Sequence, residues 1–294
     1  MIINFHHFHN NNNIPQYVEG SISESTFENF IINNIEIIIN IDIWLEKYKN
    51  NTLTNQIAIT LDDGLLCQYE IALPILNKYN IKAGWGIYTS PLINQPIFLE
   101  LYKYFQGLYF NNDNDFYNEF FNIIMSFPEY ANNLNNINKI NNYRKNLKFY
   151  TFNDRKFRYI RDNVLSQNEF TNIIIQIMKN KNFILEDNIN NIWINTDNLK
   201  NISKTQIICS HSHTHPTMLQ NLDYKSQLEE IEQSINIIKN ILNIDINIFC
   251  CPCDNFNNDT LKILKKKNII CLAGDIHSNS NYVIKRIDCN KFIK

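Results

Sequence analysis

Apolar and polar positions follow two periods along this chain. Short continuous apolar runs occur at 1–5 (MIINF), 56–61 (QIAITL), 81–89 (IKAGWGIYT), 205–210 (TQIICS), 246–252 (INIFCCP) and 269–274 (IICLAG). They have strand length and no alternation, the signature of strands buried on both faces. Between them the apolar residues recur every three or four positions. In 66–80 (LCQYEIALPILNKYN) this predicts a helix kinked at Pro74. In 224–243 it puts Leu228, Ile231, Ile235, Ile238 and Leu242 on one helical face. A long apolar segment, 27–48, also reads as helix despite its many isoleucines, and 258–268 reads as a helix with an Asn or Asp cap.

Strand, helix and strand in succession make right-handed βαβ units, and their repetition predicts a parallel sheet. At 294 residues a closed or nearly closed barrel is favoured, an α/β fold. Residues 97–200 depart from the pattern. They are rich in aromatics and Asn, show helical patches at 97–110 and 168–180, and carry no motif chemistry. The expectation is one domain over 1–294 with a largely helical insertion at 97–200, near the mouth of the barrel.

Composition narrows the function classes. Hydrophobic residues are 44% and aromatics 13%, enough for a full core, and 27 basic against 29 acidic side chains leave no basic stripe. Nucleic acid is therefore not an expected partner. The Asn10–Asn13 run is low complexity and carries no function. No stretch approaches the ~18 apolar residues of a membrane span. The first ten residues lack the basic and apolar regions of a signal peptide, and seven cysteines are an odd number. A cytoplasmic location with reduced thiols is the expectation.

Two groups carry candidate chemistry. Asp62 and Asp63 end one buried strand, and His211 and His215 follow another. Taken singly, Asp-Asp-Gly is a turn and His-x-x-x-His an accident of spacing. Both sit at C-terminal ends of parallel strands, where the sites of such folds gather. Two imidazoles and one carboxylate make a three-ligand site with an open position, as in catalytic zinc centres. If Asp63 is the ligand, Asp62 stands beside it as a free base. Cys250, Cys251 and Cys253 lack the spacing of a zinc ribbon and read as small buried hydrophobes.

This constellation resembles the polysaccharide deacetylase family, the NodB-homology carbohydrate esterases. Thr60-Leu61-Asp62-Asp63-Gly64 is similar to its Thr-Phe-Asp-Asp-Gly signature, and Lys82-Ala83-Gly84-Trp85-Gly86 stands where a Lys-Ala-Thr-Phe-Phe strand follows. His211-Ser212-His213-Thr214-His215 matches His-Ser-x-Thr-His. Cys251-Pro252-Cys253-Asp254 with Phe256-Asn257 is an eroded form of the third motif, Tyr-Pro-Tyr-Gly and Tyr-Asn.

The resemblance implies a deformed (β/α) barrel of the NodB type. It also implies a divalent metal on Asp63, His211 and His215, with zinc expected first and cobalt, nickel or manganese as alternatives. Asp62 would be the general base, and the backbone N–H of Cys253, beside Pro252, an oxyanion contact. The substrate would be an N-acylated amino sugar in a glycan or glycan precursor. Two alternatives stand beside it: a deformylase or deacetylase of a small nucleotide- or lipid-linked sugar, and an inactive glycan-binding barrel.

The chain departs from the pattern in three places. The third-motif Arg falls at Cys250 and its Gly at Asp254. The C-terminal Leu-x-His that usually supplies the acid is missing, and His277 lacks its context. Asn4–His9 (NFHHFH) resembles the N-terminal Tyr-His segment of a permuted branch that includes biofilm poly-N-acetylglucosamine deacetylases, which puts the acid at His6. His7 and His9 then read as polar residues leaving a strand. Arg286 and Asp288 either orient the base, contact an anionic substrate group, or form a surface ion pair.

Overall fold

The structure, a computed structural model, describes residues 1–10, 20–95, 98–145, 150–184, 188, 191–274 and 282–293. It divides into two compact units, one of Met1–Pro15, Glu19–Ile97 and Asn190–Lys294, the other of Gln16–Val18 and Phe98–Ile189.

The first unit contains strands β1 (Ile2–Phe5), β2 (Phe8–His9), β3 (Ile22–Ser23), β4 (Ala58–Asp62), β5 (Gly84–Ile87), β6 (Ile207–Ser210), β7 (Ile248–Cys250), β8 (Ile270–Ala273) and β9 (Val283–Asp288). β2 and β3 pair only with each other, while the other seven form a closed barrel in the order β1-β4-β5-β6-β7-β8-β9. Every pairing is parallel, and β9 closes on β1 with Ile2 opposite Arg286 and Asn4 opposite Asp288. This is the α/β barrel expected from the alternating pattern.

Alternation along each strand sorts the side chains. Ile3, Phe5, Ile59, Leu61, Trp85 and Ile87 join the core shared with the outer helices. Ile2, Ala58, Ile248, Leu272 and Ile284 make a second apolar cluster. Two positions further along three of those strands, the same face carries Asn4, Thr60 and Arg286, all buried. The barrel interior is thus apolar at the N-terminal ends of these strands and polar towards their C-terminal ends.

The 27–48 segment is not one helix. Helices Glu24–Asn34 and Ile41–Lys49 are separated by a stretch in which Ile38 bridges Ile57. The β-branched run Ile37–Ile39 exchanges backbone hydrogen bonds with Ile57, at 2.8 Å each way, and so extends the sheet instead of the helix. At the Pro74 kink a π-helical turn, Gln68–Ala72, runs into helix Leu73–Lys78. The widened turn sits just where the proline ring offers no N–H.

The second unit holds helices Phe98–Tyr109, Asp113–Met125, Phe152–Asn163 and Gln167–Asn180, and no strand occurs among its described residues. Rings fill its core: Phe120 packs edge-on against Phe157 at 4.8 Å, and Tyr102 stacks on Phe116. Arg161 and Asp162 form an ion pair of 2.6 Å, with the Asp162 side chain fully buried. The chain re-enters the first unit at Asn190, and Trp193 bridges Leu65.

Candidate active site

Asp62 is the last residue of β4, and Asp63 and Gly64 follow with φ of +83° and +61°. Asp tolerates this left-handed region better than most side chains. The turn sends the two carboxylates to different partners, which answers the repulsion that adjacent acids would otherwise suffer.

Asp63 Oδ1 lies 3.4 Å from His211 Nε2 and 3.4 Å from His215 Nε2. One ligand atom from each of the three residues falls within 4.8 Å of the others, and all three residues are buried. His211 Nδ1 is 2.7 Å from the Cys250 carbonyl, which can only accept, so Nδ1 carries a proton and Nε2 is the ring atom left to face Asp63 or a cation. The His211–His215 loop is held from behind by Glu230, which accepts from the backbone N–H of His213 at 2.9 Å and of Thr214 at 2.8 Å. His213 turns away, its Nδ1 2.9 Å from Thr89 Oγ1.

Asp62 faces the opposite side. Arg286 donates to both its oxygens, Nη1 to Oδ1 at 2.8 Å and Nη2 to Oδ2 at 2.7 Å, and Asn4 Nδ2 adds a bond of 3.0 Å to Oδ2. The guanidinium is 3% exposed, so the surface ion pair is excluded for Arg286. Asp288 instead caps the turn at Asn290. Gly86 makes room for the base, because a Cβ there would lie 2.5 Å from Asp62 Oδ1. Cys250, where the motif's Arg is missing, lies beside the same spot, its Sγ 3.2 Å from that Cβ position.

Charge in this pocket is tightly balanced. Burial alone would push the Asp62 carboxyl up, but the Arg286 charge, the nearby His211 and the Arg286 hydrogen bonds together outweigh it and hold the group well below the usual carboxylate range. Asp63 is likewise lowered, burial being overcome by its hydrogen bond to His211 and the charge of His215. Burial would lower His211, yet the two carboxylates raise it. With the imidazoles neutral, two buried carboxylates against one guanidinium leave a net negative site. Two imidazole nitrogens and a carboxylate oxygen converge there, a donor set that fits a divalent cation.

His6 directly follows β1. Its carbonyl accepts from Gln68 Nε2 at 2.7 Å, and the same amide nitrogen reaches the Asp62 carbonyl at 2.5 Å, tying the two strand ends together. Its Nε2 lies 3.3 Å from Asn4 Nδ2. His7 and His9 belong to the β2–β3 pair: the His7 carbonyl accepts from Ile22 N–H, and His9 Nδ1 is 2.9 Å from Ser21 Oγ. Pro252 and Cys253 follow β7 just as Asp63 follows β4 and His211 follows β6. Cys253 and Asp254 take φ of +49° and +57°. Asp254 Oδ1 accepts from the Gly274 N–H at 2.5 Å, and a Cβ on Gly274 would meet Asp254 Oδ2 at 2.2 Å, so a glycine is needed there. His277 lies outside the described residues. Asn4 and Gln68 were missed from sequence, although a lone Asn inside the apolar run MIINF was a visible signal.

Comparisons with known proteins bear on the fold. A polysaccharide deacetylase family model matches residues 141–271, a span that includes His211, His215 and the Cys251–Asp254 turn. No curated protein sequence matches the chain. Among solved structures, the deacetylase PplD of Streptococcus pyogenes, in complex with acetate, superposes with a TM-score of 0.58 at 14% identity, covering 98% of this chain and 90% of that one. A de-N-acetylase from Aggregatibacter actinomycetemcomitans gives 0.55 at 14%, covering 98% and 94%. IcaB from Ammonifex degensii gives 0.53 at 11%, covering 98% and 91%. At such identities the likeness is one of fold, and the fold is the NodB-type deformed barrel of polysaccharide deacetylases. Among the described residues no helix is long and apolar enough to cross a membrane.

Proposed function

We propose that this chain is a metal-dependent hydrolase that removes an N-acetyl, or another N-acyl, group from an amino sugar in a glycan or glycan precursor. One observation carries the reading: Asp63, His211 and His215 converge, while Asp62 stands beside them on a separate arginine. Asp63, His211 and His215 would hold the cation, zinc being the first expectation for this donor set. When bound, it polarises the amide carbonyl and acidifies the attacking water.

The chain's own groups do the rest. Asp62, kept ionised by Arg286, takes the proton from the attacking water. The oxyanion that develops on the substrate carbonyl is met by the Cys253 backbone N–H, a donor indifferent to the loss of the motif's Tyr side chain. His6 gives its proton to the departing amine nitrogen. Arg286 also bears on the inactive alternative: the eroded third motif lacks its Arg at Cys250, but the base is not left without one. The 97–200 segment is read as an insertion in this one domain.

The test is release of free amine from acetylated chito-oligosaccharides, nucleotide sugars and lipid-linked amino sugars by purified protein. Release that stops on chelation and returns with one equivalent of divalent metal is expected. A metal-replete protein that releases amine from none of these would overturn the reading.

A further inference from the structure

His211 and His215 stand four positions apart, a spacing that aligns two side chains by itself only within a helix. Residues 211–215 are not helical. Yet both Nε2 atoms come to 3.4 Å from the same Asp63 oxygen, and the ring centroids lie 4.7 Å apart. Contacts from outside the loop must supply the alignment that a helical repeat would otherwise give.

The loop also resists its own shape. Ser212 has φ of +65° and His215 of +53°, a left-handed region disfavoured for residues other than glycine. His215 precedes Pro216, a position that ordinarily calls for an extended residue. Such strain persists only where the surroundings over-determine it. Thr89 and Ser90 donate their backbone N–H groups to the His213 carbonyl at 3.2 and 3.0 Å, and Ser212 Oγ accepts from the His215 N–H at 3.1 Å.

Glu230 grips the opposite side. Its Oε2 accepts from two consecutive backbone N–H groups, His213 at 2.9 Å and Thr214 at 2.8 Å, and its Oε1 accepts from the Thr214 hydroxyl at 2.5 Å. Hydrogen bonds to a carboxylate are stronger than neutral ones. Glu230 belongs to helix Tyr224–Leu242, and one turn further on Ser234 Oγ meets Ser210 Oγ, at the end of β6, at 2.9 Å. The helix is thus registered on both the strand end and the loop beyond it.

We infer that Glu230 is a positioning residue of the metal centre: by gripping the loop between the two histidines, it sets where their Nε2 atoms stand and so the affinity of the cation site. The inference rests on the reading of Asp63, His211 and His215 as ligands given above. Glu230 is not itself a ligand and acts through the loop backbone.

The experiment strips the full chain of metal and titrates it with zinc against a competing chelator of known affinity. Glu230→Ala should bind zinc about 10- to 100-fold more weakly than wild type, the usual cost of losing a residue that orients metal ligands. In Glu230→Gln the amide oxygen can take both backbone N–H groups while the nitrogen donates to the Thr214 hydroxyl, so this variant should recover most of the loss. Gln227→Ala shows what a merely structural change in the same helix does. Gln227 bonds the Leu222 carbonyl at 2.8 Å and the Thr260 hydroxyl at 2.5 Å, away from the loop. Its loss should lower stability towards urea and leave zinc affinity unchanged. If Glu230→Ala does not fold, Glu230→Asp, one methylene short of the loop, takes its place with the same expected direction. Wild-type affinity in Glu230→Ala would overturn the inference, as would a Glu230→Gln chain as weak as Glu230→Ala, or a Gln227→Ala chain as weak as either. A wild-type chain that binds no zinc would overturn the ligand reading and this inference with it, whereas zinc binding indifferent to Glu230 overturns the inference alone. No substrate enters the titration, so failure of the deacetylase reading stays separate.

Discussion

Replacing Arg286 with Met should destabilise the barrel unit by about 3–5 kcal/mol at neutral pH, the cost of leaving a buried charge without its partner. The variant loses both arms of the fork on Asp62, at 2.8 and 2.7 Å, and keeps only the Asn4 bond to a carboxylate that is 2% exposed. Removing both charges in Asp62→Asn with Arg286→Met should recover about 2 kcal/mol or more of that loss, since a neutral pair suffers no such penalty. The pH dependence fixes the sign. The folded carboxyl is held below its unfolded value, so the pair's contribution is present above about pH 4 and lost as the pH falls towards the folded value. Without the guanidinium, burial dominates and raises the group, so the deficit of Arg286→Met should shrink on acidification. Urea titration followed by tryptophan fluorescence suits the purpose, because Trp44, Trp85 and Trp193, all three tryptophans, lie in the barrel unit. A chelator should be present so that bound metal does not mask the difference. A deficit below about 1 kcal/mol, or a double variant as unstable as the single one, would refute the claim that this pair holds the base in place.

Three further outcomes are expected. Asp63→Ala should lose stoichiometric metal and activity together, read by metal analysis of the purified protein; full retention of metal would remove Asp63 from the ligand set. His6→Ala should keep metal and substrate binding, lose about 10²- to 10⁴-fold in kcat, and lose the acidic partner from its pH–rate profile; near-normal turnover would return the role to water or to His277. In the helical unit, Asp162→Asn leaves Arg161 buried without its carboxylate. Burial would raise Asp162, but Arg161 holds it low, so its contribution is present above about pH 4 and lost as the pH falls. Faster hydrogen exchange at the Phe157 and Ile160 amides in Asp162→Asn at neutral pH checks this, and unchanged exchange would contradict it.

The sequence carried most of the barrel and the three-residue cluster, for different reasons. Strands buried on both faces leave uninterrupted apolar runs, so β1, β4, β5, β6, β7 and β8 were visible. β9 was not, because its residues Lys285, Arg286 and Asp288 break the apolar pattern, and a charge in a strand reads as surface. Only the barrel's closure brings Arg286 onto a carboxylate 224 positions away in sequence. Asp63, His211 and His215 were legible because Asp-Asp-Gly and His-x-x-x-His are compact patterns that end apolar runs. Asn4 and Gln68 work through hydrogen bonds that impose no spacing in sequence. The 27–48 segment misled because isoleucine runs satisfy helix and strand periods alike, and pairing with Ile57 settled the matter.

The central claim is that the two adjacent aspartates divide the chemistry, one holding metal and the other moving a proton. Amine release by wild type and Asp62→Asn, each carrying one equivalent of the same divalent metal, tests it most directly. The account predicts equal metal content and a rate lower by about 10²- to 10⁴-fold in the variant. Equal rates, or loss of metal from Asp62→Asn, would contradict it.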